Sequence, residues 1–206
     1  MKIVFATGNP HKLQELKAIA GNCGIDFILP PDNFDPIENG KTFEENSLIK
    51  AREAARLSGE ISLADDSGLC VEALNGEPGI YSARYAETPQ KRIDKLLKVL
   101  SNTSNHPFRP SDTFPLKGQD YSNRKAKFVC SMSLVKPNGD IIFQTIGECP
   151  GYIAEKQAGT NGFGYDPIFV PDGYECTMAE LSEDEKNKIS HRGNALRKIL
   201  EYIGNN

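Results

Sequence analysis

The sequence predicts an α/β protein, and three stretches carry this prediction. Residues Lys2–Thr7 form an apolar run typical of a buried strand, and the polar loop after it leads into a helix. A second helix is predicted from Thr42 to Gly59, where apolar residues recur at helical spacing. Alternating apolar residues over 126–134, followed by the turn pair Asn138-Gly139, predict a β-hairpin. Strands and helices in this succession indicate a sheet covered by helices.

In the first half of the chain, turn and capping residues set the expected boundaries. Pro10 suits the first turn of the first helix, whose apolar residues continue to Cys23. A short strand is expected at Asp26–Leu29, and the acidic, proline-rich stretch 30–41 is expected to be an exposed loop. Glu45, three residues after the start of the second helix, completes a capping box and therefore already has a structural task.

The second half continues the same mixture of elements. Pro89–Leu100 has the apolar spacing of an amphipathic helix, and Ser101–Asn123 is poor in aliphatic residues and predicts a long surface loop. The second strand of the hairpin is expected at Ile141–Cys149. A capping box at Ser182 starts a short helix, and a last helix begins near His191.

Composition limits the classes of function. A chain of 206 residues, 38% hydrophobic and 25% charged, is ordinary for a globular protein, and we expect one domain over 1–206. The formal net charge of −4 argues against binding to nucleic acid or to an anionic membrane. Five cysteines without a C-x-x-C pair favour neither a disulfide framework nor a zinc site. With no signal-peptide pattern, these features predict a cytoplasmic location.

In the stretch Ile61–Leu69, a short apolar strand is expected to run into two adjacent carboxylates, Asp65 and Asp66, and then into a Ser-Gly turn. Side chains of neighbouring strand residues point to opposite faces, so the two cannot both serve one site unless the strand has ended. One carboxylate is therefore expected to face the site and the other to support it. A plain polar turn after a strand explains the same residues, since Asp, Ser and Gly all favour turns.

Three further stretches suit a nucleotide. The loop T-G-N-P-H-K, residues 7–12, places backbone N–H groups and a lysine at a helix start, which suits phosphate oxygens, although a simple helix start explains it too. Glycines near Phe163 and Tyr165 allow close backbone approach beside flat aromatic faces, or form a turn that the aromatics anchor. His191 and Arg192 lie at a helix start, where positive charge is unfavourable and hints at a ligand.

Six short motifs occur in order along nearly the whole chain and together resemble the inosine/xanthosine triphosphate pyrophosphatase family. The resemblance implies an elongated, two-lobed α/β domain with a long mixed central sheet flanked by helices, an active-site cleft between the lobes, and a homodimer. The stretch 102–123 departs from the family pattern but contains none of the motifs. The motifs are T-G-N-P-H-K at 7–12, T-F-E-E-N at 42–46, A-D-D-S-G-L at 64–69, P-G-I-Y-S-A-R-Y at 78–85, G-F-G-Y-D-P-I-F at 162–169 and I-S-H-R-G at 189–193.

Carried over to this sequence, the resemblance implies Mg²⁺ as the cofactor, with Glu38 and Asp66 as its ligands. It also implies that Asp66 is the general base, while the choice between base, ligand or both stays open. Lys50 falls at the position of a further phosphate-facing lysine. The implied substrate contacts are Thr7, Gly8, Asn9, Pro10, His11, Lys12, Ser67, Phe163, Gly164, Tyr165, Asp166, Lys186, His191 and Arg192.

The implied reaction is attack of water on the α-phosphorus, which gives a nucleoside monophosphate and pyrophosphate. A pyrophosphatase for modified pyrimidine nucleotides and a non-catalytic nucleotide-binding module are the two alternatives. The acidic pair and Glu38 are all present, which argues against the non-catalytic module. For base choice we expect His191 and Arg192 to donate to the oxygen at purine position 6, because an adenine would leave these donors unpaired.

Overall fold

The computed structural model describes residues 1–103 and 122–205 and has an α/β fold. The strands are β1 (Lys2–Phe5), β2 (Asp26–Ile28), β3 (Ser62–Val71), β4 (Lys125–Val135), β5 (Ile141–Ile153) and β6 (Phe169–Pro171). The helices are α1 (Pro10–Ala20), α2 (Phe43–Ser58), α3 (Pro89–Thr103), α4 (Glu183–Ile189) and α5 (His191–Gly204). Short 3₁₀ turns occur at Glu72–Leu74, Gly79–Arg84, Ser122–Arg124, Asp166–Ile168 and Met178–Glu180.

The strands form one mixed sheet in the order β2-β1-β3-β4-β5-β6. Strand β1 is parallel to both of its neighbours, with Ile3 opposite Phe27 of β2 and Val4 opposite Ser62 of β3. Strand β6 is antiparallel to β5, with Tyr152 opposite Val170. The carboxyl ends of β1 and β3 therefore lie at the same edge of the sheet, where parallel α/β sheets bind their ligands.

The chain divides into two compact units. The first unit contains Met1–Ser67, Val129–Glu148 and Asn187–Asn206, and the second contains Gly68–Phe128 and Cys149–Lys186. The α/β class and the mixed sheet are confirmed. The single domain over 1–206, the elongated shape and the cleft between lobes stay predictions.

In the first unit, helices cover the sheet on both faces. One buried cluster joins Leu16 of α1 and Leu196 of α5 to Leu63 of β3. The other cluster joins alanines of α2, including Ala51, to Ala64 of the same strand. Because Leu63 and Ala64 are neighbours in an extended strand, their side chains point to opposite faces. Helices α1 and α5 thus lie on one face of β3, and α2 lies on the other.

Capping residues in the sequence predicted several helix ends correctly. Thr42 caps α2 by accepting from the amide of Glu45 at 3.1 Å, and Gly59 ends the helix in the left-handed conformation at φ 68°. The carboxylate of Glu45 accepts from the amide of Lys41 at 2.5 Å, one residue before the cap. The capping box predicted at Thr42 is therefore confirmed for the cap itself, while Glu45 binds the amide of Lys41 where the prediction had Thr42. The capping box at Ser182 is confirmed, with both of its hydrogen bonds formed.

Other boundaries differ from the prediction. Strand β3 continues through the two aspartates and the Ser-Gly pair, so the predicted turn there is wrong: sheet pairing outweighs local turn preference. Helix α1 stops at Ala20, since Gly21 adopts φ 53°, and Cys23 is exposed beyond it. Helix α3 extends to Thr103, three residues into the predicted loop Ser101–Asn123.

Most of that predicted loop, residues 104–121, lies outside the described residues. In the described part of the chain, none of the helices has the length and apolar character needed to cross a membrane.

The α5 face of the first unit gives a stability prediction. Leu196 is fully buried in the cluster with Leu16 and Leu63, whereas Leu29 is 50% exposed. Leu196→Ala should lower the free energy of unfolding by about 2–5 kcal/mol, because it removes buried apolar surface and leaves a cavity. Urea denaturation measures the change, with Leu29→Ala as the matched control. Equal effects of the two substitutions would contradict the assigned packing.

Candidate functional site

A pocket of about 320 Å³ opens in the first unit, at the sheet edge where β1 ends. Its lining combines a loop before a helix, two lysines and carboxylates from two segments, which is a polar set suited to a charged ligand. The lining residues are Ala6, Thr7, Gly8, Asn9, Lys12, Phe34, Asp35, Pro36, Glu38, Lys50 and Asp65.

The loop from β1 into α1 forms one wall of this pocket. Thr7 folds the loop back, since its hydroxyl accepts from the amide of Asn9 at 3.0 Å. Pro10 and His11 are the first residues of α1, and Lys12 follows in the same turn. The start of this helix therefore meets the pocket together with a lysine, an arrangement that favours anions.

Asp65 holds the lysine of this loop. Lys12 Nζ lies 3.1 and 3.0 Å from the two carboxylate oxygens of Asp65, which is 1% exposed. Burial alone would raise the pKa of Asp65, but the positive charges of Lys12 and Arg192 outweigh it and hold this pKa far below its usual range. Asp65 is thus an ionised carboxylate inside the protein.

Arg192 is the second partner of Asp65, and it is also 1% exposed. Its guanidinium donates to Asp65 Oδ2 from Nε at 3.2 Å and from Nη2 at 2.9 Å. Nη1 donates to Glu15 of α1, and Nη2 also donates to the hydroxyl of Ser67 at 3.1 Å. The sequence suggested that positive charge at the start of α5 serves a ligand. In the structure, two buried carboxylates of the protein itself balance the charge of Arg192.

A second cluster forms on the α2 face of β3. Lys50 Nζ lies 3.0 Å from Glu38 Oε2 and 3.2 Å from Asp66 Oδ1. Burial would lower the pKa of Lys50, but the charges of Asp66, Asp65 and Glu38 raise it above its ordinary value. Burial raises the pKa of Asp66. The positive charge of Lys50 lowers this pKa but offsets the effect of burial only in part.

The alternation of β3 explains why the two adjacent aspartates have different partners. Asp65 lies on the same face as Leu63, beside α1 and α5, and Asp66 lies on the face of Ala64, beside α2. From the sequence, one carboxylate was expected to face the site and the other to support it. In the structure, Asp65 binds Lys12 and Arg192, while Asp66 shares Lys50 with Glu38.

The residues predicted to bind Mg²⁺ fit such an ion. Oδ2 of Asp66 is buried without a hydrogen-bond partner within the described residues, which leaves an oxygen ready for a cation. Glu38 supplies a second hard oxygen ligand, and one lysine does not neutralise two carboxylates. No group of three or more His, Cys, Asp or Glu side chains in the described ranges forms a complete cage. Mg²⁺ often uses one or two carboxylates together with waters and substrate phosphates.

Several predicted base contacts lie in the second unit. Lys186 Nζ lies 2.8 Å from Asp166 Oδ2 and 4.7 Å from the ring centroid of Phe163, whose own amide donates to Asp166 Oδ2 at 2.9 Å. Gly162 adopts φ 73°, and a Cβ there would come within 2.1 Å of that oxygen. A glycine is therefore required for Asp166 to hold both groups.

The two aromatic residues of this loop differ in exposure. Phe163 is 38% exposed, so its ring is accessible to a stacking partner. Tyr165 is 4% exposed, and its hydroxyl donates to the carbonyl of Ser82 at 3.1 Å. Gly164 between them adopts φ 67°. Tyr165 thus anchors the loop within the second unit. For Tyr165 this matches the alternative stated from the sequence, a glycine-rich turn that aromatic residues anchor.

The predicted site residues fall into two groups, one in each compact unit. Thr7–Lys12, Ser67, Asp66 and Glu38 lie in the first unit with Arg192 and the buried His191. The contacts among Phe163, Asp166 and Lys186 lie within the second unit.

Sequence reasoning missed Glu15, the other partner of Arg192. Glu15 is a buried carboxylate of α1, and its partner Arg192 lies 177 positions away, so no local pattern indicates the pairing.

Comparison with known proteins supports the sequence resemblance. The model of the Ham1 family matches residues 3–202. A dITP/XTP pyrophosphatase of Synechocystis sp. is 40% identical over 198 residues, covering 96% of this chain and 93% of the relative. The dITP/XTP pyrophosphatase of Bacillus anthracis is 42% identical over 212 residues, covering 98% and 96%.

Solved structures agree with this assignment. A HAM1 protein from Coxiella burnetii matches with a TM-score of 0.82 and 38% identity, covering 100% of both chains. The Ham1 protein of Staphylococcus aureus gives a TM-score of 0.81 at 38% identity, covering 100% of this chain and 99% of that one. The resemblance predicted from six motifs is confirmed, and the chain belongs to the Ham1 family.

Proposed function

We propose that this protein hydrolyses deaminated purine nucleoside triphosphates, namely ITP, dITP and XTP, to the monophosphate and pyrophosphate. Relatives at about 40% identity that carry the name dITP/XTP pyrophosphatase support the substrate class. The observation that carries the proposal is the pocket of the first unit, which Lys12, Lys50 and Glu38 line. Lys50 in turn contacts the carboxylates of Glu38 and Asp66. These groups suit a polyphosphate and a cation at the same place.

The triphosphate binds along the loop Thr7–Lys12. Backbone N–H groups at the start of α1 and the ammonium of Lys12 face its oxygens, and positive charge there offsets the charge of the phosphates. Lys12 is held in the pocket by Asp65 before any substrate arrives, so its position requires little reorganisation.

Asp66 accepts the proton of the attacking water. The water oxygen forms a bond to the α-phosphorus, the bond from that phosphorus to the bridging oxygen breaks, and pyrophosphate leaves with the electron pair. Glu38 and Asp66 would hold a Mg²⁺ ion, which supplies Lewis-acid stabilisation of the phosphate charge. Lys50 keeps these two carboxylates close together.

For the base, we propose that Phe163 stacks on the purine, because its ring is accessible and Lys186 lies against it. His191 and Arg192 are the sequence-based candidates for donors to the oxygen at position 6. The guanidinium of Arg192 already donates to Asp65 and Glu15, so we propose a role in the core for Arg192 and keep His191 as the candidate donor. The predicted homodimer and cytoplasmic location also stay predictions.

A pyrophosphate-release assay with Mg²⁺ tests this function directly. The panel contains dITP, ITP and XTP with the ordinary nucleotides dATP, dGTP and dCTP as controls. We expect fast release from the deaminated nucleotides and slow release from the others. Equal rates on all six would refute the proposed specificity, and absence of pyrophosphate would refute the reaction.

Asp66→Asn should retain the fold and lower kcat by about 10²–10⁴-fold, because an amide accepts no proton from water and is a poor cation ligand. The measurement is kcat on dITP, with circular dichroism and Tm to verify folding. A variant within tenfold of the wild type would place the base elsewhere.

Lys12→Ala should weaken triphosphate binding by about 1.5–3 kcal/mol, since it removes a charged donor from the pocket. Measured as Kd for dITP, the weakening should shrink at high salt, because salt screens phosphate charge. Lys17→Ala is the control, as Lys17 is an exposed lysine in the last turn of the same helix. If both variants bind like the wild type at low salt, the loop does not contact phosphate.

Arg192→Ala should lower the free energy of unfolding by about 3–5 kcal/mol, because it leaves Asp65 and Glu15 buried without their shared cation. Its kcat/KM should fall in parallel for ITP and ATP. The exposed Arg197 of the same helix is the control substitution. The sequence alone predicts a different result, a selective loss on ITP. A narrowed ITP/ATP ratio with unchanged stability would therefore assign Arg192 to the base.

A further inference from the structure

The segment that carries Glu38 has no regular structure of its own. It ends at Lys41, just before α2, and two side chains of the first turns of α2 hold it. Oδ1 of Asn46 accepts from the amide of Gly40 at 2.9 Å, and Glu45 accepts from the amide of Lys41 at 2.5 Å. The backbone two residues after Glu38 is therefore attached to the helix.

The two attachments differ in burial. Asn46 is 1% exposed, whereas Glu45 lies at the surface, where water can replace its hydrogen bond. The bond from Gly40 is part-buried, and its acceptor belongs to a buried side chain, so its loss would leave a buried polar group without this partner. The bond from Gly40 to Asn46 is thus the more constraining of the two.

Gly40 is required for this close approach. A Cβ at this position would lie 2.7 Å from Asn46 Oδ1 and 2.7 Å from Glu45 Cβ. Any side chain at position 40 would therefore push the segment away from α2.

The same face of α2 also holds the side chain of Glu38. Asn46 and Lys50 are four residues apart and so lie next to each other on the helix surface. Lys50 contacts the carboxylates of Glu38 and Asp66, while Asn46 fixes the backbone beyond Glu38. Glu38 is thus attached to one helix face both through its side chain and through its backbone.

We propose that Asn46 is a positioning residue that sets Glu38 at the correct distance from Asp66 for a divalent cation, acting through the Gly40 amide. This inference rests on the proposed function in taking these two carboxylates as the ligands. Groups that orient metal ligands from outside the coordination sphere typically affect metal affinity by about 10–100-fold.

The test is Mn²⁺ binding to the nucleotide-free protein, measured by electron paramagnetic resonance. Asn46→Leu keeps the approximate volume but removes the acceptor, and it should weaken Mn²⁺ binding by about 10–100-fold. Asn46→Asp keeps an acceptor and should retain or exceed wild-type affinity. Ser47→Ala is the matched control, because Ser47 is the adjacent fully buried residue and its hydroxyl contacts Ser131 and Ser133 instead.

Gly40→Ala perturbs the same contact from the other side and should weaken Mn²⁺ binding in the same way, which keeps the test valid if Asn46→Leu fails to fold. Hydrogen exchange of the Gly40 amide in metal-free protein should be slow in the wild type and fast in Asn46→Leu. Unchanged affinity in the folded Asn46 and Gly40 variants would overturn the inference while the proposed function stands. A wild-type protein that neither binds Mn²⁺ nor releases pyrophosphate would overturn both.

Discussion

The buried guanidinium of Arg192 is the constraint on which the first unit depends. A charge that is 1% exposed must be balanced locally, and Asp65 from β3 and Glu15 from α1 balance it. This contact joins α5, β3 and α1 on one face of the sheet. It also keeps Asp65 ionised, and Asp65 in turn holds Lys12 at the pocket. The position of the lysine in the pocket is therefore a consequence of the core.

A continuous strand gives the two neighbouring aspartates separate tasks. If the chain had turned at Asp65-Asp66, both carboxylates could have faced the same space, and like charges would have opposed each other. Because β3 continues to Val71, Asp65 faces two cations, while Asp66 contacts, among the described residues, the lysine that Glu38 also contacts. The first carboxylate is neutralised inside the protein, and the second has a buried oxygen left for other chemistry.

Features that depend on nearby residues could be predicted from the sequence. The cap at Thr42, the end at Gly59 and the hairpin follow from residue types a few positions apart. The pairing of Arg192 with Asp65 joins residues 127 positions apart, and no local pattern encodes it. The turn expected after Asp65 and Asp66 was wrong for the same reason, since pairing with neighbouring strands decides whether a turn-like sequence continues as a strand. The sequence showed the unfavourable positive charge of Arg192 at the start of α5, but it did not indicate the carboxylates that balance this charge.

The charge pattern of the pocket also explains how an acidic chain can meet an anionic ligand. Within the described residues that line the pocket, both lysines are already paired with carboxylates, so a polyphosphate has to compete with Asp65 for Lys12 and with Asp66 and Glu38 for Lys50. Under the proposed function, a cation held by Glu38 and Asp66 would offset the charge of these carboxylates, which otherwise opposes phosphate oxygens near Lys50. Cation and nucleotide would then favour each other's binding, and linkage requires such a coupling to be reciprocal.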